Sequence, residues 1–229
     1  MQASQAMKLD DAIETMIHQQ LEARGIRDPR VLEAMRRVPR HQFVPSVDLV
    51  TAYADRALPT RNGQTISQPY IVARMTELLQ IEPGQRVLEV GAGSGYQAAV
   101  LMAMGAHVIG IERDPELAGE AERALTALDL GDRADTVTII TGDGTCGSPD
   151  HAPFDRILAT AAAPDLPTPL AEQLRDPGRA VLPIGDRAQQ VLTVIDHRDG
   201  QWTRTTDTPC RFVPLIGAHG FGHEATPDA

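Results

Sequence analysis

An apolar run leads directly into three glycines at every second position, and this junction limits the possible folds more than any other feature of the sequence. The segment reads VLEVGAGSGY at residues 87–96, and a helical pattern follows it at residues 97–104. Glycine is needed where a backbone turns sharply and where a ligand approaches it closely. The junction therefore predicts a strand, a tight turn and a helix, with a ligand site at the carboxyl end of the strand.

Short runs rich in β-branched residues alternate with helical patterns through the middle of the chain. The runs lie at residues 86–90, 107–111, 137–141, 154–160 and 179–184, and the helical patterns at residues 97–104, 115–128 and 168–174. Strands that alternate with helices form βαβ crossovers and a parallel sheet covered on both faces. The later runs at residues 190–196, 201–206 and 211–215 have no helices between them. We therefore predict an α/β fold whose doubly wound, mostly parallel sheet ends in antiparallel strands.

Helical patterns also precede the first of these strands. Apolar residues recur at helical spacing from Leu9 to Leu21, and Gly25 is a stop signal. A second helix is predicted at residues 29–37, and a third has Ile71 and Leu79 on one face. The sheet is therefore expected to carry helices from the N-terminal third of the chain.

The length of the chain favours a single domain. With 229 residues, 42% of them apolar, it can bury one substantial core. We predict an N-terminal helical cap and substrate segment at residues 8–80, a cofactor-binding core with the C-terminal strands at 81–216, and a flexible tail at 217–229. The first six residues are polar and are expected to be loose.

Charge and cysteine usage limit the partners and the compartment. The formal net charge of −10 argues against nucleic acid and against anionic membranes, because both require a basic surface. Cys146 and Cys210 have no ligand spacing, which favours a reducing compartment. The sequence shows no signal-like N-terminal segment and no apolar run that could span a bilayer, so we expect a cytoplasmic protein. The histidines show no convincing metal spacing, His219 and His223 included.

The spacing of the glycines indicates the cofactor. In the dinucleotide fingerprint G-x-G-x-x-G the third glycine stands one residue later, in the position that Tyr96 occupies here. The G-x-G-x-G variant is associated with S-adenosylmethionine, which has no phosphate to bind. Glu112 ends the second strand, where a carboxylate can accept hydrogen bonds from both ribose hydroxyls. Asp143 ends the third strand, where its carboxylate can accept a hydrogen bond from the adenine amino group. S-adenosylmethionine is the predicted cofactor, and NAD is the competing one.

Motifs along almost the whole chain, from about residue 9 to residue 217, resemble one family. They are RVPR (37–40), FVP (43–45), GQTISQP (63–69), LEVGAGSGY (88–96), GDG (142–144), APFD (152–155), LPIG (182–185) and RFVPL (211–215). The resemblance is to the protein-L-isoaspartate (D-aspartate) O-methyltransferases. The segment at residues 63–69 is the most specific motif, because other methyltransferases lack it.

The resemblance implies both the reaction and the site. It implies transfer of a methyl group from S-adenosylmethionine to the free α-carboxylate of L-isoaspartyl, and in some members D-aspartyl, residues in damaged proteins or peptides. S-adenosylhomocysteine is then the other product, and a succinimide starts the repair. It also implies a Rossmann-like sheet of altered strand order in a monomer. The implied cofactor-binding residues are Glu89, Gly91, Gly93, Ser94, Gly95, Tyr96, Glu112, Arg113, Asp143 and Gly144.

Ser67 is the predicted catalytic residue, because its hydroxyl can orient the substrate carboxylate. Local sequence alone favours a helix cap instead, since Ser67 stands two residues before Pro69 at a predicted helix start. Gln64, Thr65 and Ile66 are weaker candidates for contact with the peptide. A carboxylate is already ionised at neutral pH, so the reaction needs no general base.

Two other functions stay open from sequence. A carboxylate methyltransferase of this kind can act on one dedicated peptide instead of on many damaged proteins. A NAD-dependent oxidoreductase would use the same strand, turn and helix for a different cofactor.

Overall fold

The computed structural model describes residues 2–60, 63–129 and 136–222. Its strands are β1 (Leu58–Pro59), β2 (Thr65–Ile66), β3 (Arg86–Val90), β4 (His107–Glu112), β5 (Val137–Thr141), β6 (Phe154–Ala159), β7 (Leu174–Gly185), β8 (Gln190–Arg198) and β9 (Gln201–Cys210). Its α-helices are α1 (Gln2–Thr15), α2 (Pro29–Arg37), α3 (Leu49–Ala52), α4 (Pro69–Leu79), α5 (Tyr96–Ala103), α6 (Pro115–Thr126) and α7 (Thr168–Gln173).

A seven-stranded sheet organises the fold, with the strand order β5-β4-β3-β6-β7-β8-β9. The five strands from β5 to β7 pair in parallel, and β8 and β9 continue the sheet antiparallel. The chain first builds outward from β3 to β5 and then returns to add β6 on the other side of β3. The order therefore reverses beside β3, and the crevice at the carboxyl ends of β3 and β6 is where ligands of such sheets bind. The predicted fold class is confirmed.

Both faces of the sheet are covered, and the alternation along β3 shows how. Val87 packs in one core cluster with residues of the N-terminal helices, such as Leu21 and Leu79. Leu88 and Val90 pack in a second cluster on the opposite face. Because successive side chains of a strand point to opposite faces, Glu89 lies on the same face as Val87. The N-terminal helices and the sheet thus share one core.

The N-terminal helices begin and end at residues that the sequence marks. Asp28 caps α2 by accepting a hydrogen bond of 2.8 Å from the backbone N–H of Arg30. The first helical stretch continues from α1 through Met16–Leu21 and Glu22–Arg24 and stops at Gly25, whose φ is 96°. We expected the first six residues to be loose, but α1 begins at Gln2.

The prediction of a strand at residues 211–215 was wrong. The segment forms a single bridge, in which Ala162 N–H donates to Val213 and Leu215 N–H donates to Ala162, at 2.8 and 2.7 Å. A longer ladder is not available, because Phe212 N–H donates instead to the Gln190 side chain and Pro214 has no N–H.

The first residues of the predicted flexible tail are held by hydrogen bonds. Ala218 N–H donates to the Asp143 carboxylate at 2.8 Å, and His219 N–H donates to the Thr145 hydroxyl at 3.1 Å. Phe221 N–H closes a turn by donating to Leu215 at 2.8 Å. We expected the chain to be loose from Gly217 onward, but residues 217–222 are held in place by these hydrogen bonds. Residues 223–229, with His223, lie outside the described residues.

Two glycines give a matched test of the packing between α5 and α6. Gly95 caps α5 at φ 83°, and a β-carbon there would lie 3.2 Å from the β-carbon of Ala121. We expect Gly95→Ala to lower the free energy of unfolding by about 1–3 kcal/mol, because it combines a strained φ with close packing.

The control lies within α6 itself. Gly119 has open space around a built β-carbon, so Gly119→Ala should raise the free energy of unfolding by about 0.5–1 kcal/mol. Denaturant unfolding of both variants measures the two changes. Equal stabilities would contradict the described packing.

Candidate active site

A cavity of about 840 Å³ opens at the carboxyl ends of β3, β4 and β6. The turn after β3 and the residues after β4 and β6 form one side. Residues 63–68 with the start of α4, and residues 208–216 at the C-terminal end, form most of the rest. The cavity therefore joins the predicted cofactor turn to the predicted substrate segment.

The glycine turn is fixed from both neighbouring strands. The N–H groups of Gly91 and Ala92 both donate to the Ile111 carbonyl at the end of β4, at 2.8 and 3.0 Å. On the other side, a β-carbon at Gly91 would lie 2.8 Å from the hydroxyl oxygen of Thr160, just after β6. Gly91 has a φ of 88° and Gly93 a φ of 54°. A larger residue would strain the backbone here and fill the space into which a ligand must come.

Glu112 is held against this turn. One carboxylate oxygen accepts from Gly93 N–H at 2.9 Å, and the other accepts from Asp114 N–H at 3.0 Å. Each carboxylate oxygen has a second lone pair, so both can still accept from a ligand hydroxyl. Glu112 lines the cavity, and its exposed neighbour Arg113 lines it too.

Glu89 is the most unusual charge-bearing group of the cavity wall. It is fully buried, and neither carboxylate oxygen has a hydrogen-bond partner among the described residues. Burial raises the pKa of Glu89 well above its ordinary value, and the nearby charge of Glu112 raises it further. Leaving such a group unpaired is costly. A cationic hydrogen-bond donor is the ligand that would pair it.

The predicted substrate segment forms the facing wall. Gln64, Thr65, Ile66 and Ser67 all line the cavity. The helix-cap alternative for Ser67 is not seen, because the N-cap residue of α4 is Gln68 and no side chain caps that helix. Strand β2 pairs with β1 in the register Leu58 to Ile66, which fixes the segment just before Ser67.

Arg24 supports this wall from the N-terminal helices. Its guanidinium lies 3.5 Å from the centre of the Tyr70 ring and donates to the Asp55 carboxylate at 2.7 Å. The backbone carbonyl of Asp55 in turn accepts from the Gln68 side chain at 2.9 Å. Arg24, Gln68 and Tyr70 all line the cavity.

Two predicted cofactor residues, Gly95 and Asp143, lie outside the cavity wall. The others line it, among them Gly91, Gly93, Ser94, Tyr96 and Gly144. Gly95 packs against α6. Asp143 turns its carboxylate toward the chain, where Oδ1 accepts from the N–H and hydroxyl of Thr145 at 2.9 and 2.7 Å. Burial opposes ionisation of Asp143, but hydrogen bonds from Ala218, Thr145 and Cys146 outweigh it and lower the pKa.

Sequence reasoning missed several residues of the wall. Thr160 follows β6 just as Glu112 ends β4, so the rule that ligands bind at strand ends could have indicated it. Arg24 and Gln97 carry no such signal, because only the packing of the N-terminal helices brings Arg24 to the cavity.

Within the described ranges no group of three or more His, Cys, Asp and Glu side chains is placed to hold a metal ion, and no helix is long and apolar enough to cross a membrane.

Comparison with known proteins agrees with this geometry. A family model described as Protein-L-isoaspartate(D-aspartate) O-methyltransferase matches residues 11–220. This chain belongs to that family. A protein-L-isoaspartate O-methyltransferase of Methanoregula boonei is 52% identical over 206 residues, which cover 90% of this chain and 93% of the relative. One of Geobacter metallireducens is 47% identical over 219 residues, covering 95% and 100%.

Solved structures of the family share the fold. One protein-L-isoaspartate O-methyltransferase superposes with a TM-score of 0.80 at 27% identity, over 91% of this chain and 67% of its own. Another, from Plasmodium falciparum in complex with S-adenosyl-L-homocysteine, gives a TM-score of 0.74 at 26% identity, over 90% and 97%.

Glu89→Gln tests the cost of the buried carboxyl group. The pKa of Glu89 is raised in the folded protein, so the folded state keeps a proton that the unfolded chain releases. Stability is therefore lost as pH rises from about 4.5 toward the raised pKa. We expect Glu89→Gln to be about 1–3 kcal/mol more stable than the parent at pH 8 without ligand, with the advantage shrinking toward acid pH.

Denaturant unfolding across this pH range measures the effect. Glu122→Gln is the matched control, because Glu122 is exposed on α6 and should show no pH-dependent gain. A Glu89→Gln protein that is no more stable than the parent at pH 8 would contradict the assignment.

Proposed function

We propose that this chain transfers the methyl group of S-adenosylmethionine to the free α-carboxylate of L-isoaspartyl residues, and in some contexts D-aspartyl residues, in proteins and peptides. The observation that carries the proposal is that one cavity joins the glycine turn to the GQTISQP segment typical of this family. The amide nitrogen of the following residue then attacks the ester carbonyl, methanol leaves, and the resulting succinimide starts the repair of the damaged residue.

The residues of the cofactor half fit the parts of S-adenosylmethionine. The unpaired, buried Glu89 suits the cationic amino group of the methionine part. Glu112 keeps a free lone pair on each oxygen for the ribose hydroxyls. Gly91 and Gly93 leave room for the adenosyl group, while Ser94, Tyr96, Arg113 and Gly144 complete the wall. When bound, the cofactor supplies an electrophilic methyl group on a sulfonium.

The protein's task in this reaction is alignment. The attacking carboxylate is ionised at neutral pH and needs no base. It must meet the methyl carbon in line with the sulfur and lose its water shell, and positioning of this kind can supply about 7–11 kcal/mol. Ser67 is the residue that we assign to this task, with its hydroxyl donating to the substrate carboxylate. Gln64, Thr65 and Ile66 are assigned to the peptide that carries it.

The oligomeric state, the partners and the location of the protein are proposed from the sequence and the family resemblance. A monomer stays a prediction from the family resemblance. Isoaspartyl-containing proteins and peptides are the proposed partners, without nucleic acid or membrane. A cytoplasmic location stays a prediction from the sequence.

A methyl-transfer assay on matched peptides tests the proposed reaction. With labelled S-adenosylmethionine, we expect methylation of a generic isoaspartyl peptide and none of its aspartyl isomer. Methylation restricted to one peptide sequence would favour the dedicated-substrate function instead. Binding of NADH in place of S-adenosylhomocysteine would overturn the assignment of S-adenosylmethionine as the cofactor.

Ser67→Ala tests the residue assigned to the reacting carboxylate. A hydrogen bond to a charged group is worth about 1.5–3 kcal/mol, so we expect kcat/KM to fall about 10- to 100-fold. The free energy of unfolding should change by less than about 0.5 kcal/mol, since Ser67 caps no helix. Ser46→Ala, at an exposed position, is the control. An unchanged rate would remove Ser67 from the site.

A further inference from the structure

An ion pair joins α4 to the end of β9. The Arg74 guanidinium donates from Nε to Oδ2 of Asp207 at 3.0 Å and from Nη2 to Oδ1. Exposed ion pairs contribute little, but this one is bidentate, and its two side chains are only 26% and 16% exposed. The hydrogen bonds from Arg74 outweigh burial and lower the pKa of Asp207, so the pair is ionic at neutral pH.

Glu77 holds the Arg74 side chain from the other side. Nη1 of Arg74 donates to Oε2 of Glu77 at 2.7 Å. Oε1 of Glu77 accepts from the backbone N–H groups of Arg27 and Asp28, just before α2, at 2.6 and 3.0 Å. The direction of the guanidinium toward β9 is therefore set by the N-terminal helices as well as by its partner on β9.

A β-bulge turns the end of β9 at the same place. The pairing of β8 with β9 shifts between Val191 and Thr193, so that Asp207 and Thr208 together oppose a single residue of β8. Bulges bend a strand and redirect its side chains, and they are frequent next to active sites. The Thr208 hydroxyl donates to Oδ2 of Asp207 at 2.7 Å, and Thr208 is the first residue of the cavity-lining segment 208–216.

The ion pair lies behind two parts of the cavity wall and lines neither of them. Arg74 stands one helical turn after Tyr70 and Ile71, which line the cavity, and α4 follows directly on the segment at residues 63–68. Asp207 directly precedes the segment at residues 208–216. The contact therefore sets the spacing between these two segments at the point where both enter the cavity wall.

We propose that Arg74 and Asp207 are positioning residues, which hold residues 63–68 and 208–216 at the spacing that the isoaspartyl peptide requires. The inference rests on the proposed function, in which residues 64–67 meet the peptide. The glycine turn assigned to the cofactor is held by Ile111 and Glu112 instead. Loss of the ion pair therefore impairs use of the peptide and spares the cofactor.

A double-mutant cycle on the peptide kinetics tests the proposal. At saturating cofactor, Arg74→Met and Asp207→Asn should each lower kcat/KM for an isoaspartyl peptide about tenfold, because small misplacements of bound groups are costly. The dissociation constant of S-adenosylhomocysteine should stay within about twofold of the parent value. The double variant should be no worse than either single one, because both act through one contact. Losses that multiply to about 100-fold, or a parent-like kcat/KM in either single variant, would overturn the proposal.

The ion pair of Arg179 and Asp196 supplies a matched control. It is also bidentate, at 2.7 and 3.0 Å, and its side chains are 20% and 33% exposed. Arg179 also donates to the Leu78 carbonyl, at the end of α4 that is remote from the cavity. Asp196→Asn should therefore lower the stability as Asp207→Asn does, yet keep kcat/KM within about twofold. An equal loss of kcat/KM in Asp196→Asn would show a general effect of stability and contradict a positioning role.

Hydrogen exchange separates this inference from the proposed function, because it needs neither cofactor nor peptide. Phe212 N–H donates to the Gln190 side chain at 2.9 Å, within the segment that Asp207 precedes. This amide should exchange faster in Asp207→Asn than in the parent, while amides in β3 keep their parent rates. An unchanged Phe212 amide would refute the positioning role. Failure of the parent to methylate any isoaspartyl peptide would instead refute the proposed function.

Discussion

The structure depends on the close approach of the glycine turn after β3 to the ends of β4 and β6. The Ile111 carbonyl accepts hydrogen bonds from two N–H groups of this turn, and the Glu112 carboxylate accepts one from a third. Thr160 fills the other side so closely that only glycine fits at position 91. These contacts hold the turn open toward the cavity, at the point where the strand order reverses. The helices and the C-terminal segments then enclose a site whose floor is already fixed.

Glu89 stands at a position where a packed core favours an apolar residue. Strand β3 is central and covered on both faces, so its side chains from Val87 to Val90 are all buried, whichever way they point. An apolar residue would stabilise that position, yet it holds a carboxyl group that has no hydrogen-bond partner in the part of the chain that the structure describes. Groups that break the rules of a packed core are expected at functional sites, where a ligand completes them. Glu89 and Glu112 together make the turn suited to a cation that carries hydroxyl groups.

The parts of the fold and site that follow from sequence are those set by local pattern. The bounds of β3 and α2 were predicted to the residue, because an apolar period and clear stop signals coincide there. Most of the predicted cofactor residues line the cavity, because the local pattern of the sequence also indicates where each strand ends. The rest is set by contacts between distant segments. Residues 211–215 read as a strand, but Phe212 N–H donates to the Gln190 side chain and Pro214 has no N–H, so no longer ladder forms. The hydrogen bond from Ala218 N–H to Asp143 joins residues far apart in the chain, and no local pattern shows it.

A crystal structure with S-adenosylhomocysteine tests the central claim most directly, because the claim concerns where each part of the cofactor lies. We expect the ligand amino group within about 3 Å of the Glu89 carboxylate and the ribose hydroxyls within hydrogen-bond distance of Glu112. We also expect the sulfur to face Ser67 across the cavity. A ligand bound elsewhere, or one whose amino group leaves Glu89 unpaired, would contradict it.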